Sequence, residues 1–158
     1  MEIKIYNNDY FNAVFNLVHK TIEEIYPRYY PRAAVDFFHN HHSKENMEKQ
    51  LPNEYTLVLT EDDKIIGTGS LAENEIKRFF ILPQYQGKGY GKLLLKELEK
   101  NIDFDKFDKL ILDSSLGAVK FYETNGYTYK QYMTIDLPNN NYLCYLEMEK
   151  KESITKFV

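Results

Sequence analysis

Ile81-Leu82-Pro83-Gln84-Tyr85-Gln86-Gly87-Lys88-Gly89-Tyr90-Gly91-Lys92-Leu93-Leu94-Leu95 is the stretch that decides how this chain folds. The apolar run that leads into it, from Phe79, is typical of a buried strand that ends at Pro83. Three glycines follow at alternate positions, and apolar residues then recur at helical spacing among lysines and glutamates. The stretch therefore predicts a strand, a glycine loop and a helix.

A helix that begins at a glycine loop is a favourable place for an anion. The first four N–H groups of a helix have no partner inside the helix, and the helix dipole adds partial positive charge at the same end. Glycine lets the backbone come close to a ligand, so this arrangement predicts a cradle for a phosphate or pyrophosphate group. The alternative is a glycine-rich turn that binds nothing.

The spacing of the glycines separates the known kinds of phosphate loop. A Walker loop needs a glycine five residues before Gly91-Lys92 and a serine or threonine after it, but the chain has Gln86 and Leu93 there. The dinucleotide fingerprint also fails, because Lys92 or Leu94 occupies the place of its third glycine. The pattern that fits is Q/R-x-x-G-x-G/A, with Gln86, Gly89 and Gly91.

With this pattern the chain resembles the GNAT superfamily of N-acetyltransferases, in which the loop holds the pyrophosphate of acetyl-CoA. A second motif of that family, A-x-x-F-Y-x-x-x-G-F/Y, follows about 30 residues later and is matched by Ala118, Phe121, Tyr122, Gly126 and Tyr127. The resemblance covers roughly residues 3–149. It implies an α/β (α+β) fold in which a mixed, mostly antiparallel sheet of about seven strands is flanked by about four helices.

Periodicity and turn residues predict the element order β-α-α-β-β-β-α-β-α-β-β along the chain. Helices are expected from Asn8 or Asp9 to before Pro27, over residues 32–41 with a short one over 45–50, over 91–100 and over 114–122. Strands are expected over residues 2–6, 55–60, 64–72, 75–82, 109–113, 127–135 and 142–149. Residues 1–149 are predicted to form one domain and residues 150–158 a loose tail.

Composition limits the function classes. A chain of 158 residues with 43% hydrophobic and 28% charged residues is typical of one globular domain. A net charge of −4 argues against a nucleic-acid partner, and no apolar run is long enough for a membrane helix. The single cysteine, Cys144, excludes an internal disulfide and favours a reducing compartment, so a cytoplasmic location is expected.

The resemblance implies acetyl-CoA as cosubstrate and assigns residues to it. The main chain of Phe80 and Leu82 is expected to bind pantetheine in a gap beside the strand, and the Ile81 N–H to stabilise the oxyanion. Pyrophosphate is assigned to the loop that contains Gln86, Gly87, Lys88, Gly89, Tyr90, Gly91 and Lys92. The side chains of Lys88 and Lys92 either add positive charge near the pyrophosphate or only make the surface soluble. Ser114 is either a polar contact of the cofactor or a helix N-cap.

Two residues are assigned to catalysis through the same resemblance. Tyr122 stands where the family places the donor that protonates the leaving thiolate; the alternative is a core aromatic residue. Glu75, eleven residues before Gln86, stands where family members often carry the carboxylate that deprotonates the amine through water. Its alternative is a solvated strand end. The implied reaction is direct attack of a primary amine on the thioester, with no acyl-enzyme.

The acceptor site is expected to be built from the first helices and the last two strands. This assigns Tyr29, Tyr30, Arg32, His42 and Tyr142 to binding a small-molecule or protein amine. The cluster His39, His41 and His42 has spacing that does not converge on one ion, so no metal is expected.

Two other function classes remain at this stage. The same fold serves as an acyl-CoA sensor or partner protein without turnover, and a nucleotide-binding module uses a similar loop. Dimerisation is common in the family, so a homodimer is considered, although the sequence identifies no interface.

Overall fold

The computed structural model describes residues 1–152, which form seven strands and five α-helices. The strands are β1 (Glu2–Ile5), β2 (Tyr55–Glu61), β3 (Lys64–Ala72), β4 (Glu75–Ile81), β5 (Lys109–Ser115), β6 (Thr128–Leu137) and β7 (Asn141–Lys151). The helices are α1 (Phe11–Ile25), α2 (Arg32–His41), α3 (Lys44–Gln50), α4 (Tyr90–Glu99) and α5 (Val119–Thr124). The mixed α/β fold class and the predicted element order are confirmed, with α3 as the expected short extra helix.

The seven strands form one sheet in the order β1-β2-β3-β4-β5-β7-β6. Every neighbouring pair is antiparallel except β4 and β5, which run parallel. These two strands are paired only where Glu75 faces Ile111 and Ile76 faces Leu112. Beyond Ile76 their backbones separate, so the carboxyl half of β4 has an unpaired edge. The sheet therefore contains the gap that the sequence interpretation required.

Helices cover both faces of the sheet. The apolar side of α4, with Leu94, Leu95 and Leu98, is buried in one core cluster together with β5. The apolar side of α1, which includes Val18 and Ile22, is buried in a second cluster on the other helices and on β7. Each helix is amphipathic, and burial of its apolar stripe holds it against the sheet.

A buried ion pair accompanies an irregularity in β4. Arg78 has a φ of 49°, and the pairing register between β3 and β4 shifts beside it, between Thr68 and Ser70. Its guanidinium donates to Glu54 at 2.5 Å and to Gln50 at 2.8 Å, and the side chains of Arg78 and Glu54 are 2% and 6% exposed. Removing one partner of such a pair leaves an unpaired buried charge, which costs about 3–5 kcal/mol.

Most boundaries differ from the sequence prediction by one or two residues, and three of the differences have a clear physical cause. Asn7 caps a short 3₁₀ turn, so α1 begins at Phe11 rather than just after Asn8 or Asp9. Residues 114 and 115, predicted to open a helix, instead extend β5, because β7 supplies their pairing partners Leu146 and Tyr145. The helix that follows begins at Val119 after one 3₁₀ turn.

The loose tail predicted for residues 150–158 starts too early in the chain, because the last strand includes residues 150 and 151. Lys150 and Lys151 belong to β7 and pair with Leu110 and Lys109, and the Lys150 ammonium donates to both carboxylate oxygens of Glu99, at 3.0 and 2.9 Å. Strand pairing and this ion pair therefore bind residues 150 and 151 to the domain. The rest of the predicted tail, residues 153–158, lies outside the described residues.

Candidate active site

The glycine loop has the geometry of an anion cradle. Gly87 and Gly89 have φ values of 74° and 85°, in the region that favours glycine. Gly89 is the N-cap of α4, and no side chain caps the helix there, so its first N–H groups are free of side-chain partners in the described chain. A Cβ atom placed on either glycine would meet nothing within 4 Å. The loop thus presents open space above an uncapped helix N-terminus.

Gly91 serves a different purpose from its two neighbours. A Cβ atom at this position would lie 3.1 Å from the ring of Phe121 and 3.7 Å from the side chain of Ile81. Glycine is therefore required for close packing between α4 and α5, as well as for any approach of a ligand. The sequence pattern alone does not separate these two reasons.

A cleft of about 490 Å³ opens from this loop into the gap between β4 and β5. We call it the loop cleft. Its lining is Thr21, Ile25, Tyr26, Phe79, Phe80, Ile81, Gln86, Gly87, Gly89, Gly91, Lys92, Ser115, Gly117, Ala118, Lys120, Phe121, Tyr122, Thr124 and Asn125. Within the described chain this lining carries two lysines and no carboxylate. An elongated ligand with phosphate groups at the lysine end matches that charge.

The backbone of β4 presents different residues to the gap than the sequence interpretation assigned. The Leu82 N–H donates to the Ile66 carbonyl of β3 at 2.9 Å, so it is not free for a ligand. Phe80, two residues before Leu82, pairs with Thr68 of β3. Because hydrogen bonding alternates along an antiparallel strand, the main-chain N–H and C=O groups of Phe80 also face β3. The main chain of Ile81 points the other way, toward the gap. The assignment of pantetheine to the backbone of Phe80 and Leu82 is therefore corrected to Ile81.

A second cleft, of about 320 Å³, lies beside the loop cleft. We call it the aromatic cleft. It is lined by Tyr26, Phe37, Phe38, His41, His42, Gln50, Glu75, Ile76, Lys77, Arg78, Phe79, Phe80, Asp113, Ser115, Ala118, Tyr122, Ile135, Leu143 and Tyr145. Six residues are common to the two clefts: Tyr26, Phe79, Phe80, Ser115, Ala118 and Tyr122. A ligand in one cleft would therefore meet a ligand in the other at these residues.

Tyr122 lies at this junction and is also part of the core. Its residue is 6% exposed, and its ring centroid lies 5.1 Å from that of Phe121 and 5.7 Å from that of Tyr127. Its hydroxyl makes no hydrogen bond to any of residues 1–152. Burial raises the pKa of the Tyr122 phenol above its usual value of 10, and the nearby phenol of Tyr26 raises it further. Tyr122 therefore keeps its proton at neutral pH, and no described residue engages its hydroxyl.

Two carboxylates from neighbouring strands line the aromatic cleft. Glu75 begins β4 and lies 3.4 Å from the ammonium group of Lys77. Asp113 in β5 makes no ion pair within residues 1–152, and its pKa is raised by burial, then by Glu75 and by Glu147. The sequence interpretation identified Glu75 and missed Asp113, although a polar residue directly after the apolar run 110–112 is a recognisable signal.

The histidines divide between a surface network and the cleft. His39 Nε2 lies 2.8 Å from a carboxylate oxygen of Glu23, and His39 Nδ1 lies 2.6 Å from His19 Nδ1. His42 is only 7% exposed, and burial lowers its pKa well below 6.5. Its ring faces the ring of Phe80 edge-on, with 5.5 Å between centroids. Of these side chains, His42 lines the aromatic cleft.

Most of the predicted acceptor residues lie elsewhere. Tyr30 is buried, and its hydroxyl donates to the Cys144 carbonyl at 2.7 Å and accepts from the Leu116 N–H at 2.9 Å. Burial raises the pKa of Tyr30 to about 12. These two bonds make Tyr30 a link between β7 and the start of the 3₁₀ turn after β5, so its side chain is engaged before any ligand binds.

Tyr29, Arg32 and Tyr142 do not line either cleft in the described chain. Tyr29 is half exposed and packs on Gly117, where a Cβ atom would come within 2.6 Å of its ring. Arg32 binds Glu23 and Asp36 on the surface, and Tyr142 is 56% exposed. An acceptor role for these three residues stays a prediction without support from the cleft geometry.

Three predicted cofactor residues point away from the loop cleft. The Lys88 ammonium lies 5.3 Å from the ring centroid of Tyr85, and the Tyr90 hydroxyl donates to Glu61 in β2 at 2.5 Å. Ser114 is fully buried in β5 and donates to the carbonyl of Ser115, so it caps no helix. The residue that lines both clefts at this point is Ser115. Lys120, which no sequence pattern marked, joins Lys92 in the loop cleft.

Comparison with known proteins agrees with this architecture. The family model described as an acetyltransferase (GNAT) domain matches residues 25–152. The chain belongs to the GNAT superfamily of acetyltransferases. No curated protein matches it significantly.

Solved structures of this superfamily share the fold at low sequence identity. A GCN5-related N-acetyltransferase from Rhodopseudomonas palustris aligns with a TM-score of 0.86 and 22% identity, over 96% of this chain and 95% of its own. The PaiA N-acetyltransferase from Thermoplasma acidophilum, in complex with coenzyme A, aligns with a TM-score of 0.72 and 20% identity, over 96% and 100%. A GNAT family acetyltransferase from Elizabethkingia anophelis with acetyl-CoA bound aligns with a TM-score of 0.57 and 19% identity, over 70% and 84%.

No helix within residues 1–152 is both long and apolar enough to span a membrane. No group of three or more His, Cys, Asp or Glu side chains in the same range is placed to hold a metal ion together.

Proposed function

We propose that this GNAT protein transfers the acetyl group of acetyl-CoA to a primary amine by direct attack, without an acyl-enzyme. The observation that carries the proposal is the meeting of the loop cleft and the aromatic cleft at Tyr122, in the gap between β4 and β5. One cleft is suited to an anionic cosubstrate and the other to an acceptor. Family membership supports the acyltransferase class.

The residues of the loop cleft fit acetyl-CoA. Its pyrophosphate would lie over Gly87 and Gly89, where the uncapped N-terminus of α4 offers N–H donors and space. Lys92 and Lys120 would add positive charge, and the pantetheine arm would lie in the gap beside the part of β4 that β5 leaves unpaired, as an added strand does. When bound, acetyl-CoA supplies the activated acetyl thioester.

The side chains at the junction would manage the protons of the reaction. A new N–C bond forms as the C–S bond breaks, so the amine loses a proton and the departing sulfur gains one. Glu75 would accept the amine proton through water, and the Tyr122 hydroxyl would donate its proton to the sulfur. The Ile81 N–H would stabilise the negative charge that develops on the acetyl oxygen.

The acceptor is proposed to enter through the aromatic cleft, as a small molecule or as an amine of a protein. No nucleic-acid partner is expected, because the net charge of the chain is −4. A homodimer stays a prediction.

The first test measures cosubstrate binding and turnover on the same preparation. Acetyl-CoA at 100 times its Kd should stabilise the fold by about 2.7 kcal/mol, which raises the melting temperature of a domain of this size by about 5–10 °C. ATP and NAD should raise it much less. Release of free CoA thiol with a panel of primary amines should then identify turnover.

The two measurements separate the proposal from its rivals. A shift with CoA and no thiol release with any amine would favour an acyl-CoA sensor of the same fold. An equal shift with ATP would favour a nucleotide-binding module.

A further inference from the structure

The charged residues in the lining of the aromatic cleft all come from the two central strands β4 and β5. Its apolar part comes from α2, with Phe37 and Phe38, from β6 and β7, with Ile135 and Leu143, and from β4, with Ile76, Phe79 and Phe80. Its carboxylates come from the central strands β4 and β5. Since α2, β6 and β7 supply no carboxylate to the lining, an acceptor would place its amine toward the carboxylates of β4 and β5 and its carbon body against α2, β6 and β7.

One carboxylate of the cleft, Asp113, has no cation to balance its charge within the described residues. Of its two cations, Lys77 lies 3.4 Å from Glu75, and Arg78 is neutralised by Glu54 behind the lining. The second carboxylate of the cleft, Asp113, has no ion-pair partner within residues 1–152. The other polar residues of the lining are uncharged: burial lowers the pKa values of His41 and His42, and the rest are an amide, a serine and tyrosines.

A further observation concerns His42, one of the residues that line the cleft. The Nδ1 atom of His42 is buried without a hydrogen-bonding partner among the described residues, and the residue is only 7% exposed. An unsatisfied buried polar atom is rare in a folded protein and costs free energy. This Nδ1 atom is itself covered by protein, so an acceptor in the cleft would meet another part of the His42 ring.

From these features we infer that the acceptor is a monoamine with a compact aromatic or branched apolar body, and that Phe37 is a specificity-determining residue. The inference rests on the proposed function. One ammonium group would neutralise the charge deficit beside Asp113. A second ammonium, as in a polyamine, would have to lie against the apolar part of the lining without a partner, which is unfavourable. The cleft volume of about 320 Å³ suits a small ligand.

Phe37 is the aromatic residue best placed to choose among amines. Phe38 packs on Tyr26 and Tyr30, with ring centroids 4.6 and 5.2 Å apart, and is therefore needed for the core. Phe37, like Phe38, is partly buried and packs against the second core cluster, but the ring centroids of its aromatic neighbours His41 and Phe38 lie farther away, at 6.2 Å. Its ring therefore has a free surface in the cleft on which an acceptor ring can pack.

The test compares three primary amines under saturating acetyl-CoA: 2-phenylethylamine, n-butylamine and spermidine. The kcat/KM for 2-phenylethylamine should exceed the other two by about tenfold or more, the discrimination that a hydrophobic pocket provides. Titration of each amine into the CoA-saturated protein by calorimetry gives a binding constant that does not depend on turnover.

The variant Phe37→Leu should reduce the preference for 2-phenylethylamine over n-butylamine by about two- to tenfold, because the ring contact is lost. The matched control is Tyr129→Leu, which changes an aromatic residue that is 59% exposed on β6 and lines neither cleft. Ile135→Ala, in β6, provides a second cleft variant should Phe37→Leu fold poorly.

The outcomes distinguish failure of the inference about the acceptor from failure of the proposed function. Acetylation of spermidine at least as efficiently as 2-phenylethylamine would overturn the inference and leave the proposed function standing. Binding of 2-phenylethylamine without turnover of any amine would support the cleft assignment and contradict the proposed function. Absence of both binding and turnover of 2-phenylethylamine would overturn the inference, as would an equal loss of preference in Tyr129→Leu.

Discussion

The Gln86 side chain donates a hydrogen bond of 2.9 Å to the main-chain carbonyl of Ile81, five residues earlier. The bond joins the entrance of the glycine loop to the last residue of β4, on the side of the strand that faces the gap. It therefore fixes the loop relative to the backbone group proposed to stabilise the oxyanion. This hydrogen bond explains why glutamine is suited to the Q/R position of the motif in this chain, which the sequence pattern alone did not show.

Gln86→Ala should weaken CoA binding through the position of the loop. Loss of one hydrogen bond is worth about 0.5–1.5 kcal/mol, so the Kd for CoA should rise by about two- to tenfold. Calorimetry with CoA measures the effect. The control is Gln84→Ala. Gln84 lies three residues before Gly87 and does not line the loop cleft, so this variant should bind CoA as the wild type does. Equal Kd values in both variants would contradict the assigned role of Gln86.

Gly89→Ala should impair CoA binding more than it impairs stability. Alanine at a φ of 85° costs about 1–2 kcal/mol, and its methyl group enters the space proposed for pyrophosphate. Gly126→Ala is a matched control, since Gly126 has a φ of 92° and lines neither cleft. Both variants should melt earlier by a similar amount, and only Gly89→Ala should lose CoA affinity. Similar affinities would argue against a cradle at Gly89.

Tyr122→Phe should reduce turnover and leave CoA binding nearly unchanged. The ring stays in place, so packing persists, while the proton donor is lost. We expect kcat and kcat/KM to fall together by about 100-fold, near the lower end of the usual contribution of general acid catalysis.

Tyr127→Phe is the control for that experiment. Tyr127 is also buried, but its hydroxyl donates to Glu99 at 3.0 Å and its ring lines neither cleft. Its variant should lose about 1 kcal/mol of unfolding free energy and keep full kcat. Should Tyr122→Phe behave like Tyr127→Phe, the residue is structural and water or another group protonates the thiolate.

Glu75→Gln should lower turnover at pH 7 and recover part of it at higher pH. Glutamine keeps the shape of the side chain and accepts no proton at neutral pH, while a larger fraction of the amine is already neutral at alkaline pH. The measurement is a pH–rate profile of kcat/KM beside that of Lys77→Gln, which removes the ion-pair partner without removing the carboxylate. A wild-type profile in Glu75→Gln would remove Glu75 from the mechanism.

Asp113→Asn should stabilise the fold at neutral pH. The pKa of Asp113 is raised in the folded state, so the free energy that it contributes is fully present below its unfolded pKa of 3.8 and is lost as pH rises through the folded pKa. The difference in melting temperature between the variant and the wild type should therefore grow from pH 3.5 to pH 7. Added salt should reduce the difference at pH 7, because it screens repulsion from Glu75 and Glu147. A difference independent of pH would contradict this account.

Much of the fold was predictable because the signals for it are local. The apolar run before Pro83, the alternate glycines and the leucines of α4 lie within one short stretch. Strand and helix periods depend only on neighbouring residues, so their order along the chain was correct. The errors fall where tertiary pairing overrides local preference, as when β7 continues β5 through Ser114 and Ser115 or holds Lys150 in the sheet.

The candidate site divides in the same way. Gly87 and Gly89 were found because backbone geometry alone demands glycine there, and Tyr122 because it lies in a contiguous motif. The acceptor residues were largely missed because a cleft wall takes single residues from distant segments. Tyr26, Phe37 and Asp113 meet only when the turn after α1, helix α2 and strand β5 pack together.

By itself, the sequence determined the family, the strand-loop-helix unit and the chemistry of its anion cradle, since each depends on interactions between residues close in the chain. Tertiary structure alone decided which main-chain group faces the gap, which tyrosines are engaged in the core and which side chains line the acceptor cleft. Those choices depend on the register of β3 against β4 and on the packing of helices across the sheet. Such contacts join residues far apart in the chain, and no local pattern encodes them.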